Sequence, residues 1–203
     1  LGTDSLLMVD PEDINTLRLD FTVLPVEIDA DAGETYLDDN NFMKVKSFDG
    51  VREKHAFVFA GQSNMIGRAT FDNGTTHPSN VYMYNQAGNL VSPTNPLDHV
   101  DPQAGDMGLD ITFCRQYMIA NPNVDMILIP VAEGGTGFAT NEWNVGDSTY
   151  ENCVSQINGA FNDISGLQMK GFLWHQGEAD KAPANRANYS TAWNAMMTNL
   201  ISR

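Results

Sequence analysis

Three short apolar runs, each followed by a polar turn that contains glycine, dominate the pattern of the chain. They are Ala56–Ala60, Ile127–Val131 and Gly171–Trp174. The first run, which is uncharged and rich in Phe and Val, is typical of a strand that is buried on both faces of a parallel sheet, and the other two runs are read as further short apolar strands. The pattern therefore predicts an α/β fold in which helices connect these strands.

The sequence between the apolar runs predicts the remaining elements. Core strands are expected at Asp125–Val131 and Met169–His175, and helices at Leu109–Ala120, Tyr150–Ile164 and Asn185–Ile201. Two stretches rich in Pro, Asp, Asn and Gly, Phe71–Asn80 and Asn89–Gly108, are predicted to be loops, and the second is long enough to shape a cleft. Right-handed crossovers bring the three glycine-containing turns to one edge of the sheet, where ligands usually bind.

The first quarter of the chain differs from the rest. Residues 1–50 contain 12 acidic and three basic residues, a net charge of −9. Leu17–Val23 alternates as a half-exposed strand does, and Phe42–Phe48 alternates less regularly. We therefore expect residues 1–50 to form an acidic β-rich segment or linker from a preceding domain. The Asp-rich stretch Asp29–Asn41 lacks the EF-hand pattern, so a solvated loop is favoured there over a calcium site.

Composition and charge limit the possible classes of function. The chain has 203 residues, of which 42% are hydrophobic and 18% charged, with a net charge of −15. These values are typical of a globular domain, and the negative field disfavours nucleic acid and anionic membranes as partners. A neutral sugar substrate suits this charge, although acidity of this kind also serves solubility or a saline habitat. No run of about 18 apolar residues predicts a membrane span.

The two cysteines and the start of the chain add little. Cys114 and Cys153 lie in predicted helices and form no CxxC or Cys/His cluster, so we expect buried thiols and no metal site. A disulfide is neither required nor excluded. The sequence begins at Leu1 without Met or a signal-like segment, so we expect a piece of a longer product. The expected partners are the rest of a larger multidomain chain or further copies in a homo-oligomer.

The turn after the first apolar run carries the candidate nucleophile. The strand ends at Gly61, and Ser63 follows in the sequence Gly61-Gln62-Ser63-Asn64-Met65. A serine at a strand-to-helix turn projects its hydroxyl from the carboxyl end of the sheet, as a nucleophile requires. The alternative is that Ser63 only caps the following helix.

Three motifs in register carry a resemblance to a known family. Gly61–Met65, Gly134–Thr136 and Trp174–Asp180, supported by Val81–Asn85 and Gly108–Phe113, resemble the SGNH-hydrolase superfamily, in its branch of sialate O-acetylesterase-like and acetylxylan-esterase-like carbohydrate esterases. Val81–Asn85 and Gly108–Phe113 resemble that branch's second strand and the helix that follows it. The resemblance covers roughly residues 55 to 200. It implies a three-layer α/β/α sandwich with a flavodoxin-like parallel sheet over residues 51–203, incomplete at its C-terminus. It also implies a serine esterase that removes O-acetyl groups from a carbohydrate through an acyl-enzyme, without a metal or organic cofactor.

Ester hydrolysis needs a nucleophile, a base and donors for the oxyanion of the tetrahedral intermediate. The resemblance assigns the nucleophile to Ser63 and the oxyanion donors to the N–H groups of Ser63 and Gly135 and the side-chain amide of Gln176. Positions next to these residues are expected to bind substrate: Gln62, Asn64 and Thr136.

Two residues beside Gln176 leave alternatives open. Glu178 is expected to support the Ser63 turn or Gln176, and a direct catalytic role is the alternative. His175 is an unfavoured candidate for the base, because neighbouring strand residues point to opposite faces and Gln176 is expected to face the cleft.

The missing base is the main departure from the family pattern. Members carry an Asp-x-x-His pair near the carboxyl terminus, and this sequence has none. Either the pair lies beyond Arg203 in a longer polypeptide, which we favour, or the domain is inactive. An inactive domain would be a carbohydrate-binding or structural module of a larger extracellular or virion surface assembly, and an extracellular or surface location is expected. A lipase or thioesterase would need an apolar trench, which the polar loops disfavour.

Overall fold

The computed structural model describes residues 35–37, 43–45, 52–70, 76–101 and 106–203. The chain divides into two compact units, Leu1–Asp49 and Gly50–Arg203. In the first unit, strand β1 (Thr35–Leu37) pairs antiparallel with strand β2 (Met43–Val45). The predicted strand at Leu17–Val23 lies outside the described residues, as does most of Asp29–Asn41.

In the second unit, helices connect the strands that the apolar runs form, as the apolar pattern predicts. Its elements are β3 (Glu53–Gly61), α1 (Ser63–Ile66), β4 (Ala69–Thr70), β5 (Val81–Tyr84), β6 (Leu90–Val91), β7 (Asp106–Met107), α2 (Asp110–Ala120), β8 (Val124–Pro130), α3 (Ser148–Asp163), β9 (Leu167–His175) and α4 (Pro183–Ile201). The three predicted helices are confirmed as α2, α3 and α4. No helix in the described part of the chain is both long enough and apolar enough to cross a membrane.

The prediction of one uninterrupted loop over Asn89–Gly108 was wrong. This stretch contains β6, which pairs antiparallel with β5, and β7, which pairs antiparallel with β4. Strands of two residues are too short to show alternation, so only a partner strand reveals them.

The main sheet has five strands in the order β6-β5-β8-β3-β9. β5, β8, β3 and β9 are parallel, and β6 alone is antiparallel to its neighbour. The predicted α/β sandwich with a parallel sheet is therefore confirmed. In detail, β3 lies between β8 and β9, whereas flavodoxin-like sheets place the first strand between the second and third. The turns that follow β8, β3 and β9 are consequently neighbours at one edge.

Helices cover both faces of this sheet and bury two hydrophobic cores. On one face α1 and α2 pack against apolar side chains that include Phe59 and Leu128. On the other face α3 and α4 pack against a core that includes Val58 and Ile129, the alternate residues of the same strands. This arrangement makes the unit a three-layer α/β/α sandwich.

The two cysteines lie in different cores. Cys114 of α2 and Cys153 of α3 are buried on opposite faces of the sheet, and both are free thiols. Burial raises the pKa of each thiol to about 12. The expectation of buried thiols is confirmed, and the sheet between them prevents a disulfide.

Candidate functional site

The turn between β3 and α1 presents Ser63 at the carboxyl edge of the sheet. Gly61 has φ of +134°, and a Cβ there would lie 2.2 Å from the backbone oxygen of His175 in β9. Glycine is therefore required for β3 to end beside β9 in this conformation. The N–H of Gln62 donates to the same oxygen of His175 at 3.0 Å, and its carbonyl accepts from Met65 N–H at 2.8 Å. Ser63 is consequently the first residue of α1 and is partly exposed.

The structure does not support a capping role for Ser63. Gln62, not Ser63, occupies the N-cap position of α1, and no side chain caps this helix. The Ser63 hydroxyl makes no hydrogen bond to another residue in the described part of the chain. A serine with a partly exposed, unpaired hydroxyl is available for chemistry.

The turn after β8 lies against the Ser63 turn and offers unpaired donors. Glu133 N–H donates to the carbonyl of Gly61 at 3.1 Å, which joins the two turns. Gly135 has φ of +77°, is exposed, and has no atom within 4 Å of the position that a Cβ would occupy. Among the described residues, none accepts a hydrogen bond from the N–H of Ser63 or of Gly135. Both groups can therefore donate to an oxygen of a bound ligand.

Gln176, in the turn after β9, connects all three turns. Its Nε2 lies 3.2 Å from Gln62 Oε1, 3.0 Å from the Thr136 carbonyl and 2.7 Å from Asp180 Oδ2, and its Oε1 accepts from the Tyr189 hydroxyl at 2.8 Å. Turning the amide over would set Oε1 against a carbonyl and a carboxylate, so this network fixes its orientation. Gln176 thus holds the three predicted turns together, and its amide N–H groups face protein acceptors.

Asp180 stabilises the turn after β8 by accepting hydrogen bonds from its backbone. Its side chain is 2% exposed and accepts from Phe138 N–H at 3.1 Å, Ala139 N–H at 2.8 Å and Gln176 Nε2. A Cβ on Gly137 would lie 2.5 Å from Asp180 Oδ2 and 3.0 Å from Gln176 Nε2. Gly137 therefore leaves the space in which this network forms. Sequence reasoning missed this role of Gly137 and Asp180, and the available signal was that a third glycine follows Gly134 and Gly135.

Thr136, a predicted substrate-binding residue, is only 4% exposed. Its hydroxyl donates to the Glu133 carbonyl at 2.8 Å and accepts from Trp143 Nε1 at 2.9 Å. The side chain is therefore used to shape the turn. The contribution of Thr136 to the site is its carbonyl, which accepts from Gln176.

Glu178, Asn64 and His175 form an exposed cluster beside Ser63. Glu178 Oε1 accepts from Asn64 Nδ2 and lies 3.8 Å from His175 Nε2. The side chains of His175 and Glu178 are 50% and 42% exposed. Glu178 thus contacts Asn64, the residue that follows the candidate nucleophile. With His175 it forms a histidine–carboxylate pair on the exposed side of the site.

The other three histidines are used elsewhere in the fold. His55 contacts the Tyr117 hydroxyl at 2.7 Å, and His77 pairs with Asp110 at 2.7 Å. His99 accepts from the backbone N–H of Ala132 at 3.0 Å through Nδ1, and burial lowers its pKa to about 3. None of the histidines in the described part of the chain is hydrogen-bonded to Ser63.

A cavity in the described part of the chain does not include the predicted site residues. A cavity of about 260 Å³ is lined by residues of 76–81 and 92–95, none of them a predicted site residue. Across the described ranges, no group of three or more His, Cys, Asp or Glu side chains could hold a metal ion.

Comparisons with known proteins agree with this architecture. The chain superimposes on an Arabidopsis thaliana protein with a TM-score of 0.63 at 22% identity, over 72% of this chain and 67% of that one. It also superimposes on NanS with a TM-score of 0.63 at 16% identity, over 73% of this chain and 61% of that one. At these identities the likeness shows the fold alone. The comparison with curated proteins gave no match.

The family comparison is more informative, because it covers most of the second unit. Residues 53–203 match the model of the carbohydrate esterases described as sialic acid-specific acetylesterases. This stretch contains all three glycine-bearing turns and their connecting helices. The chain belongs to the sialic acid-specific acetylesterase family of carbohydrate esterases.

Proposed function

We propose that this protein is a serine esterase that removes O-acetyl groups from a carbohydrate through an acyl-enzyme. One observation supports this function above the others: the turn that presents the partly exposed Ser63 lies against the turn that holds Gly135, and the N–H groups of both residues are unpaired among the described residues. Gln176 joins these turns through hydrogen bonds to residues 114 and 40 positions away. Membership of the esterase family supports the same reaction.

In the proposed acyl transfer, the residues of the site supply the nucleophile and the donors for the oxyanion. Ser63 Oγ forms a bond to the acetyl carbon while its proton passes to a base, and the carbonyl electrons move to the oxygen. The N–H groups of Ser63 and Gly135 stabilise the resulting oxyanion. When it collapses, the bond to the sugar oxygen breaks and that oxygen takes the proton from the base. Water then attacks the acetyl-Ser63 ester in the same way and releases acetate.

Two candidates exist for the base. The family pattern implies the histidine of an Asp-x-x-His pair, which the 203 residues do not contain and a longer polypeptide would supply. Within the chain, His175 is the alternative, because it is exposed, lies next to Glu178 and belongs to the strand that ends beside Ser63. In the proposed reaction the Asp-x-x-His pair activates Ser63, and Glu178 supports the turn through Asn64.

The substrate of this reaction is an acetylated carbohydrate. The net charge of −15 creates a field that repels polyanions and leaves neutral acetylated sugars and small substrates free to approach. We therefore expect higher kcat/KM for a neutral acetylated sugar than for an acetylated polyanion, with the difference shrinking as salt is added.

The test compares the full-length protein with its Ser63→Ala variant on p-nitrophenyl acetate and on an acetylated sugar. We expect the variant to lose at least about 10³-fold in kcat, since the nucleophile is removed. Ser79→Ala, an exposed serine in the loop before β5, is the matched control and should keep the wild-type rate. Equal rates for wild type and Ser63→Ala would refute the esterase. The kcat of His175→Gln distinguishes the two candidate bases. It should fall strongly if His175 activates Ser63 and stay close to wild type if the Asp-x-x-His pair does.

A carbohydrate-binding module is the second candidate function. It is favoured by one observation: no histidine in the described residues is hydrogen-bonded to Ser63. A full-length protein that binds the acetylated sugar but releases no acetate at any pH would support this module.

A further inference from the structure

We propose that the cavity beside the start of β5 is a binding site for a neutral sugar ring, separate from the Ser63 site. The cavity has a volume of about 260 Å³, and its walls come from the loop before β5 and the stretch after β6. Ser63 follows β3, which lies two strands further along the sheet than β5. The cavity therefore takes no part in the proposed ester hydrolysis and adds a second function to the domain.

His77 is the best-defined polar group of the cavity wall. Its side chain is 6% exposed, and its Nε2 lies 2.7 Å from Oδ2 of Asp110, whose own side chain is 4% exposed. A carboxylate only accepts, so the ring nitrogen that faces it carries a hydrogen. In the neutral ring the other nitrogen, Nδ1, is then an acceptor, and no residue in the described part of the chain donates to it. His77 thus contributes an acceptor that is held in place and unused.

Asn95 is a second polar residue of the wall with an unused acceptor. Its Oδ1 is buried and makes no hydrogen bond within the described ranges. Buried polar atoms are almost always paired in native proteins, so an unpaired one in a cavity wall indicates that a group from outside the chain binds there. Together with Nδ1 of His77, this oxygen gives the cavity two acceptors for the donors of a ligand.

The chemistry of the wall favours a neutral ligand that carries hydroxyl groups. Two acceptors require O–H or N–H donors in the ligand, and the exposed hydroxyl of Ser92 can donate or accept. None of the described lining residues is Lys, Arg, Asp or Glu, so a charged ligand would lose hydration without gaining an ion pair. Pro78 and Pro93 add apolar ring surfaces, against which the C–H groups of a sugar can pack.

The size of the cavity limits the ligand to one ring. Sites for drug-sized ligands measure about 300–1,000 Å³, and this cavity is smaller. A single ring offers few contacts to offset the cost of association, so we expect dissociation constants in the millimolar range. A monosaccharide, or one unit of a longer neutral glycan, therefore suits the cavity.

NMR of the full-length protein with ¹⁵N-labelled histidine measures this binding. At least one of D-glucose, D-galactose and D-xylose should shift the Nδ1 signal of His77 in a saturable manner, because a ligand O–H then donates to this nitrogen. The Nδ1 signals of His55 and His99 should stay in place, since their partners lie within the protein. N-acetylneuraminic acid, an anionic sugar, should leave the His77 signal unchanged over the same concentrations.

Ser92→Phe is the variant that fills the cavity. Ser92 is exposed, so the larger side chain can occupy the cavity without displacing a core residue. We expect the dissociation constant of the neutral sugar to rise at least about tenfold. Ser155→Phe, the same exchange on the exposed face of α3, is the matched control and should bind as wild type does. Ser63→Ala should also keep the wild-type dissociation constant, because its site is separate.

The possible results separate the cavity site from the esterase. If none of the three neutral sugars shifts the His77 signal, the cavity site is overturned and the esterase stands. An equal dissociation constant for wild type and Ser92→Phe, or equal binding of N-acetylneuraminic acid, would overturn it as well. Equal esterase rates for wild type and Ser63→Ala refute the esterase alone, and a His77 shift would then still support the cavity site.

Discussion

Replacement of Asp180 by Asn tests whether the buried carboxylate holds the site together. The exchange keeps the shape of the side chain and removes its charge and one acceptor. In the better of its two orientations the new amide still accepts from Phe138 N–H and Gln176 Nε2. Its NH₂ group then faces the N–H of Ala139, which now lies 2.8 Å from an acceptor.

The magnitude follows from these contacts. One charge-assisted hydrogen bond is lost, worth about 1.5–3 kcal/mol, and the other two are weakened because the acceptor becomes neutral. We therefore expect the free energy of unfolding to fall by about 3 kcal/mol. For a domain of this size that corresponds to a melting temperature lower by roughly 6–12 °C.

Urea unfolding followed by tryptophan fluorescence measures this change. Asp163→Asn is the matched control, because Asp163 is exposed and accepts a single hydrogen bond, from the Tyr84 hydroxyl at 2.6 Å. The control should lose less than about 1 kcal/mol, since an amide oxygen can still accept that bond. If both variants lose the same amount, Asp180 does not hold the turns as the structure indicates.

Three further predictions concern other buried groups. Gly137→Ala puts a methyl group 2.5 Å from Asp180 Oδ2 and should lower the free energy of unfolding by about 1–3 kcal/mol in the same urea assay. His99 has a pKa of about 3 when folded and 6.5 when unfolded, so its contribution to stability is present above pH 6.5 and lost toward pH 3. Stability should fall by up to about 1.4 kcal/mol per pH unit, and His99→Gln should make this slope shallower. The thiols of Cys114 and Cys153 should resist Ellman's reagent in native protein and both react in guanidinium; fast native labelling would contradict their burial.

Much of the sheet was predictable, because its signals are local. The apolar run of β3 ends at Gly61, and the runs of β8 and β9 end in the same manner, so each strand and its turn could be identified from adjacent residues. The helices α2, α3 and α4 followed from what remained between the strands. Two-residue strands such as β6 escaped prediction, because their only distinguishing feature is a partner.

The position of Ser63 was also predictable, whereas the direction of the Gln176 amide was not. A nucleophile at a strand end is a feature of neighbouring residues. The acceptors of Gln176 come from Gln62, Thr136 and Asp180, two of them 114 and 40 residues away. Those acceptors become known only when the turns meet.

The sequence by itself determined the α/β class, the three turns and the family, because apolar runs and glycine-bearing motifs are formed by neighbouring residues. The tertiary structure alone decided the strand order, which sets β3 between β8 and β9, and the pairing of each polar group in the turns. An amide has two ends, and its orientation depends on the donors and acceptors that surround it. For Gln176 those neighbours come from distant parts of the chain, so only the folded protein shows how its amide is oriented.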